Sequence, residues 1–173
     1  MPGAAARGRP LESRRRTALG ARVKTIIRWI ARARRLNSAV TLTGLEQPSF
    51  ARRWADGYKL AWEADNPDAA AALYAEDCIF RSAPFREPEP PLEYTRRVFP
   101  EAKARNVHFG EPVEEGDRAA VEWWATLVSP EGTEQTIAGC SMLRFGDDGL
   151  VVESRDYWHL EPGRREPPPG WGS

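Results

Sequence analysis

From residue 48 onward the polar and apolar positions fall into two regimes, a helical period first and a two-residue period after it. Pro48-Ser49-Phe50 opens the first helix, with Ser49 as its candidate N-cap. Trp54, Tyr58, Ala61 and Trp62 then recur at i, i+4, i+7 and i+8, so one apolar face of this helix meets a core. Asp65-Asn66-Pro67-Asp68 breaks the pattern, and Pro67 suits the first turn of a second, Ala-rich helix predicted over Asp68 to Tyr74. Cys78-Ile79-Phe80 with Arg81 and Ser82 reads as a short strand, a Pro-rich loop runs from Ala83 to Pro91, and Leu92 to Arg105 reads as a third helix.

Beyond that helix the alternation becomes strand-like, punctuated by the turn signals Glu115-Gly116-Asp117, Pro130-Glu131-Gly132 and Gly146-Asp147-Asp148-Gly149. Four strands are predicted: Val107 to Glu114, Arg118 to Ser129, Glu134 to Phe145 and Leu150 to Leu160. Short hairpins between them make neighbours antiparallel. Three helices followed by a curved antiparallel sheet define an α+β layout. The last segment, Glu161 to Ser173, holds four Pro and three Gly and reads as an irregular strap whose Trp171 packs back on the domain.

Charge changes the picture at the N-terminus. The 173 residues carry 25 Lys+Arg and 25 Asp+Glu, but residues 1–45 hold eleven bases and one acid, leaving +10 there and −10 on the remainder. Three parts follow: a basic leader (1–45), a globular domain (46–160) and a tail (161–173). Within the leader Val23, Ile26, Ile27 and Ile30 recur at helical spacing among arginines, which admits a membrane-surface helix, a transit-type peptide or a nucleic-acid tail. Disorder, or a true start near Val40, is the plainer alternative. The acidic domain would repel phosphates, so no nucleic-acid partner is expected for it.

No apolar run approaches the ~20 residues of a membrane span. Cys78 and Cys140 sit in apolar stretches, which suits buried thiols and a reducing, cytoplasmic setting. His108 and His159 are isolated and read as structural or solvated, and neither cysteine belongs to a Cys-x-x-Cys, so no metal site is expected.

Ala75-Glu76-Asp77 leading into the first strand, Pro84-Phe85-Arg86 after it and Arg155-Asp156-Tyr157-Trp158 on the last strand, in the order α-α-β-α-β-β-β-β, resemble the nuclear transport factor 2-like superfamily, and more narrowly a SnoaL-like domain. The resemblance covers about residues 48–160. It implies a cone in which three helices close one side of a strongly bent, mainly antiparallel sheet around an apolar pocket. Relatives include polyketide cyclases, ketosteroid isomerases, limonene epoxide hydrolases and non-enzymatic binding modules, so fold alone does not select a function.

Compared with the isomerase pattern, Tyr58 falls on the oxyanion-binding Tyr, Ser82 on the base and Ser141 on the second oxyanion residue. A Ser cannot replace a carboxylate base, which disfavours steroid-type proton shuttling. Compared with the epoxide hydrolase, Arg155-Asp156-Tyr157 matches the catalytic stretch, while the Arg-x-Asp pair of the neighbouring strand is absent and Glu122 is its only acid. Asp156 is therefore the candidate acid/base residue. Strand alternation puts Ser154, Asp156 and Trp158 on one face, taken as the pocket face because the corresponding isomerase residues line theirs.

Trp54, Tyr58, Trp62, Ser82, Phe85, Trp124, Thr126 and Ser141 complete the expected pocket. Trp123 and Tyr157 are assigned to the outer sheet face and suggest pairing with a second copy. The resulting expectation is a small, largely apolar guest, acid/base chemistry without metal or organic cofactor, and a homodimer. The alternative is a non-catalytic ligand-binding or dimerisation module whose cone is filled by side chains.

Overall fold

A computed structural model describes residues 47–173; the leader and its alternative readings lie outside the described residues. Helix α1 (Phe50–Glu63) begins where Ser49 Oγ accepts the backbone N–H of Arg52 at 3.1 Å. That bond satisfies one of the free donors of the first turn. Ser49→Ala should cost about 1 kcal/mol, measured as a shift in urea unfolding midpoint without change in slope. The buried face of α1 carries Ala51, Trp54, Ala55 and Ala61.

Asp65, at φ 54°, turns the chain sharply after α1. Asn66 then caps helix α2 (Pro67–Ala71) by accepting from Ala69 N at 3.0 Å, with Pro67 in its first turn. This helix is shorter than the predicted one. Tyr74 is not helical but starts strand β1 (Tyr74–Arg81), because Val151 N–H reaches back to Leu73 O at 3.1 Å and pairing with the last strand takes over. Inter-strand bonds outweigh the helix preference of a short Ala run, which is weak in isolation.

The third helix is likewise truncated. Helix α3 covers Pro91–Val98 and a 3-10 turn covers Phe99–Glu101, where Pro100 interrupts the helical donors. Arg105 therefore lies in strand β2 (Lys103–Phe109). Thr95 Oγ1 of α3 donates to Pro67 O of α2 at 3.1 Å, which holds these two helices together.

The predicted strand from Val107 to Glu114 is two pieces, β2 and a short β3 (Val113–Glu115), both antiparallel to β4 (Arg118–Val128). The β2 register with β4 is broken between Arg105 and His108, and Asn106 sits at φ 49° there. Such a bulge strengthens local twist. Strands β5 (Glu134–Phe145) and β6 (Val151–Pro162) complete a six-stranded sheet in the order β1-β6-β5-β4-β2, with β3 paired to β4. Only β1 and β6 run parallel among these pairs.

Directly paired residues share a face. Ala119/Leu143/Ser154, Val121/Ser141/Asp156 and Trp123/Gly139/Trp158 form successive rows on the inner face, which α1 covers. Val121 and Phe80 are among the largest side chains fully removed from solvent there. The rows between them, Ala120/Met142/Arg155, Glu122/Cys140/Tyr157 and Trp124/Ala138/His159, point outward. No described helix is long and apolar enough to cross a membrane.

The tail crosses the outer face. Thr136 Oγ1 donates to Gly163 O and accepts from Arg165 N, both at 2.8 Å, while Trp124 Nε1 donates to Arg165 O at 2.8 Å. Trp171 meets Trp124 edge to face at 5.9 Å, and Glu111 N–H donates to Gly172 O at 2.7 Å. The predicted strap thus packs back through Trp171.

Candidate functional site

The rows of the inner face bring Asp156 opposite Ser141, and Trp123 into the next row along β4. Trp123 Nε1 donates to Ser141 Oγ at 3.0 Å, and Ser141 donates to Asp156 Oδ1 at 2.7 Å. The chain of donors ends on a carboxylate, an arrangement in which each bond polarises the next. Gly139 makes it possible: with no side chain, it leaves the Trp123 ring free to lie across β5. A Cβ at 139 would stand 2.6 Å from Trp123 Cζ2.

A cavity of about 60 Å³ adjoins the carboxylate. Its wall includes Trp54, Tyr58 and Trp62 from α1, Tyr74 from β1, Tyr94 from α3 and Phe109 from β2. Trp123, Ile137, Ser141 and Trp158 complete it around Asp156. The rings interlock: Trp54 stacks tilted on Tyr58 at 5.3 Å, and Trp62 meets Trp123 edge to face at 5.9 Å. Trp158 Nε1 donates to Ser82 O at 2.6 Å, anchoring its ring beside the end of β1.

Burial raises the Asp156 carboxyl to about 6, against the opposing pull of the Ser141 hydrogen bond. Its surface is nevertheless only partly lost, because the carboxylate borders the cavity. Burial also lifts the Tyr58 and Tyr74 hydroxyls well above their ordinary range and Tyr94 to about 12. All three stay neutral near physiological pH, available as donors or acceptors. Such a site can give or take one proton through Asp156 near working pH and can orient a guest through hydroxyls and ring faces.

The pocket expected from the sequence and the one observed overlap in part. Trp54, Tyr58, Trp62, Ser141, Asp156 and Trp158 come together. Trp124 does not: it and Thr126 lie on the outer face, Trp124 bonded to the tail, and Trp123 takes the inner position instead. The inner/outer phase of β4 differs by one residue from the expected one, a shift that exchanges every side chain between faces. The same phase sends Glu122 outward to solvent, which resolves its open placement.

Phe85 is fully exposed on the loop after β1 and contributes nothing to the wall. Ser82 is buried behind Trp158, its hydroxyl accepting from Arg86 Nη1 at 3.2 Å. Ser154 shares the inner face but is sealed beneath the pocket, its Oγ without a hydrogen bond. Tyr74, Tyr94, Phe109, Trp123 and Ile137 line the cavity without being expected from the sequence pattern. Only for Trp123 is a signal present, its adjacency to Trp124; the others arrive from elements whose bounds or docking depend on the fold.

Cys78 is pushed up to about 12 by burial, and Cys140 is raised by the same cause, so neither thiol is a ready nucleophile. His159 is largely exposed beside Glu161 on the outer face. Among the described residues no three His, Cys, Asp or Glu side chains gather as a metal site would require.

An α+β cone with helices over the concave face of a bent sheet and an aromatic pocket at its centre is the nuclear transport factor 2-like architecture. Residues 51–154 match the family model described as a SnoaL-like domain, and the chain belongs to that family. An LEH-like epoxide hydrolase of M. tuberculosis is similar in structure, with 18% identity, 64% of this chain and 83% of that chain covered, and a TM-score of 0.53. A Δ5-3-ketosteroid isomerase from Mycobacterium sp. gives 17% identity over 65% of this chain and 95% of its own, with a TM-score of 0.52. An epoxide hydrolase/cyclase-like enzyme of pyran ring formation in salinomycin gives 15% identity over 64% and 94%, with a TM-score of 0.56. No curated protein matches the sequence.

Proposed function

We propose that this SnoaL-like domain encloses a small, largely apolar molecule and transfers a proton to or from it through Asp156. One observation carries the reading: the cavity's single carboxylate, held by Ser141, is desolvated to about 6 and so is near half-protonated in mildly acidic conditions. Tyr58 and Tyr94 supply neutral hydroxyls for orientation. No metal or organic cofactor is required for such a step. Small probes of the relevant bond types, propylene oxide and pent-4-en-2-one, provide the test. Turnover that disappears in Asp156→Asn supports the proposal; turnover retained in that variant overturns it.

The cavity volume favours a second reading. About 60 Å³ is well below the roughly 300–1,000 Å³ of ordinary ligand pockets, so the cone is close to filled by its own rings. On that reading the domain is a non-catalytic module, and Asp156→Asn changes stability alone.

A second copy of the chain is the proposed partner of the outer face. Beyond the tail that face exposes Met142 at 40% and Tyr157 at 46%. Beside them a groove of about 500 Å³ mixes Arg118, Arg144 and Arg155 with Glu114, Glu115 and Glu153. A two-fold contact would bring this mixed patch against its own copy, where acids and bases of both signs are available. Met142→Glu together with Tyr157→Glu should convert a dimer to a monomer in sedimentation, with unfolding unchanged; a wild-type monomer at high concentration would refute the pairing.

A further inference from the structure

The electrostatic character of the inner cavity is one-sided. Eight of its eleven lining residues are aromatic, one is the acid Asp156, and none is basic. Ring faces carry negative quadrupole charge, which attracts a cation placed over them. The buried carboxylate adds a full negative charge when ionised. It stands in low-dielectric surroundings, where an unneutralised charge is costly and a matched one is strongly held.

The groups that face Asp156 do not neutralise it. Tyr58 approaches from α1, Tyr74 from β1 and Tyr94 from α3, all uncharged, with Ser141 and Ser154 on the sheet. The Cys140 thiol of β5 lies on the opposite face and is protonated. Arg86 and Arg97 act on Tyr94 from beyond the pocket, along with Glu89. Arg97 is paired to Glu89 and Arg86 is bound to Ser82 Oγ, so neither closes on the carboxylate.

We infer that the guest of this cavity is a small organic cation, a primary ammonium on a short apolar body, with its nitrogen against Asp156 and its carbons among the rings. The inference rests on the preceding proposal that the cavity admits a small guest, and it adds the sign of the guest's charge. An ammonium has three donors. Asp156 and the three tyrosines on which its charge acts, Tyr58, Tyr74 and Tyr94, line one space and bring carboxylate and hydroxyl acceptors to it. The volume of about 60 Å³ is a small fraction of the roughly 300–1,000 Å³ of ordinary ligand pockets. That size suits a head of two or three heavy atoms rather than a polycyclic skeleton.

Proton and cation then compete for one carboxylate. Cation binding requires the ionised form, so affinity is full above the titration of Asp156 and weakens as pH falls through it. The full-length protein, titrated with ethylammonium chloride and, separately, with its neutral isostere ethanol at constant chloride, provides the test. Ring signals of the pocket and the Asp156 side-chain carbon are followed by NMR. Ethylammonium should bind at least tenfold more tightly than ethanol, and its dissociation constant should rise about tenfold per pH unit below roughly pH 6.

Ethylammonium should also displace the Asp156 titration downward, and Asp156→Asn should weaken its binding at least tenfold, and that of ethanol by much less. Should the variant fold poorly, the pH series on the unsubstituted protein discriminates equally well. Equal binding of the two probes, or ethylammonium binding indifferent to pH, overturns the cation assignment. If ethanol alone moves the ring signals, the cation assignment falls while the pocket proposal stands; if neither probe moves them, both fall.

Discussion

Asp156→Asn should stabilise the folded protein near neutral pH while removing any proton transfer the pocket performs. The folded carboxyl titrates at about 6, whereas an exposed Asp does so at roughly 3.9. Between those values the folded state retains a proton that the unfolded state has released. Stability from this group is therefore greatest below about pH 4, declines as pH rises toward about 6, and is level above it. A gap of about two pH units corresponds to roughly 3 kcal/mol held against the fold at neutral pH.

Asn matches the shape of Asp, can still accept from Ser141 and carries no charge to desolvate. Most of that penalty should be recovered in the variant. Urea unfolding of both proteins from pH 4 to 8 should show a stability difference that grows with pH and levels above about pH 7. A difference that stays constant with pH would mean that burial does not perturb this carboxyl.

Gly139→Ala should be strongly destabilising although it adds a single methyl group. Its Cβ would stand 2.6 Å from both Trp123 Cζ2 and Tyr157 O. The indole can turn aside, but the Tyr157 carbonyl belongs to the β5–β6 ladder and moves only if the strands spread. Overpacking of this kind costs about 1–3 kcal/mol, and the strain on paired backbone puts the expected loss at the upper end. A second effect separates this substitution from simple destabilisation. Once Trp123 swings away, Ser141 loses the N–H it accepts, its bond to Asp156 weakens, and the carboxyl should titrate higher than in the parent protein. Unfolding curves read the first effect and NMR titration of Asp156 the second; an unmoved titration would show that Trp123 does not support the carboxylate.

Ser49 and the hairpin turns can be read directly because caps and tight turns are set by neighbours a few residues apart. The same holds for the alternation that places Asp156 and Trp158 together, and for the strap that carries Trp171. Local propensity assigns Tyr74 and Arg105 to helices, whereas bonds to β6 and β4, far along the chain, draw both into strands. Trp123 and Trp124 show the limit most plainly. Two identical neighbours guarantee that one faces inward, but their sequence contains no preference for which.

The amino-acid order thus determined the α+β layout, the family and Asp156 as the one acid worth testing. Only the tertiary structure decided which tryptophan joins that acid, how little space remains beside it and where the tail lies. Period and capping are local properties, but the phase of a strand and the volume of a cavity depend on residues that meet only after the sheet has closed. Gly139 is the clearest instance: its missing side chain is visible in the sequence, and its purpose appears only when Trp123 lies over it.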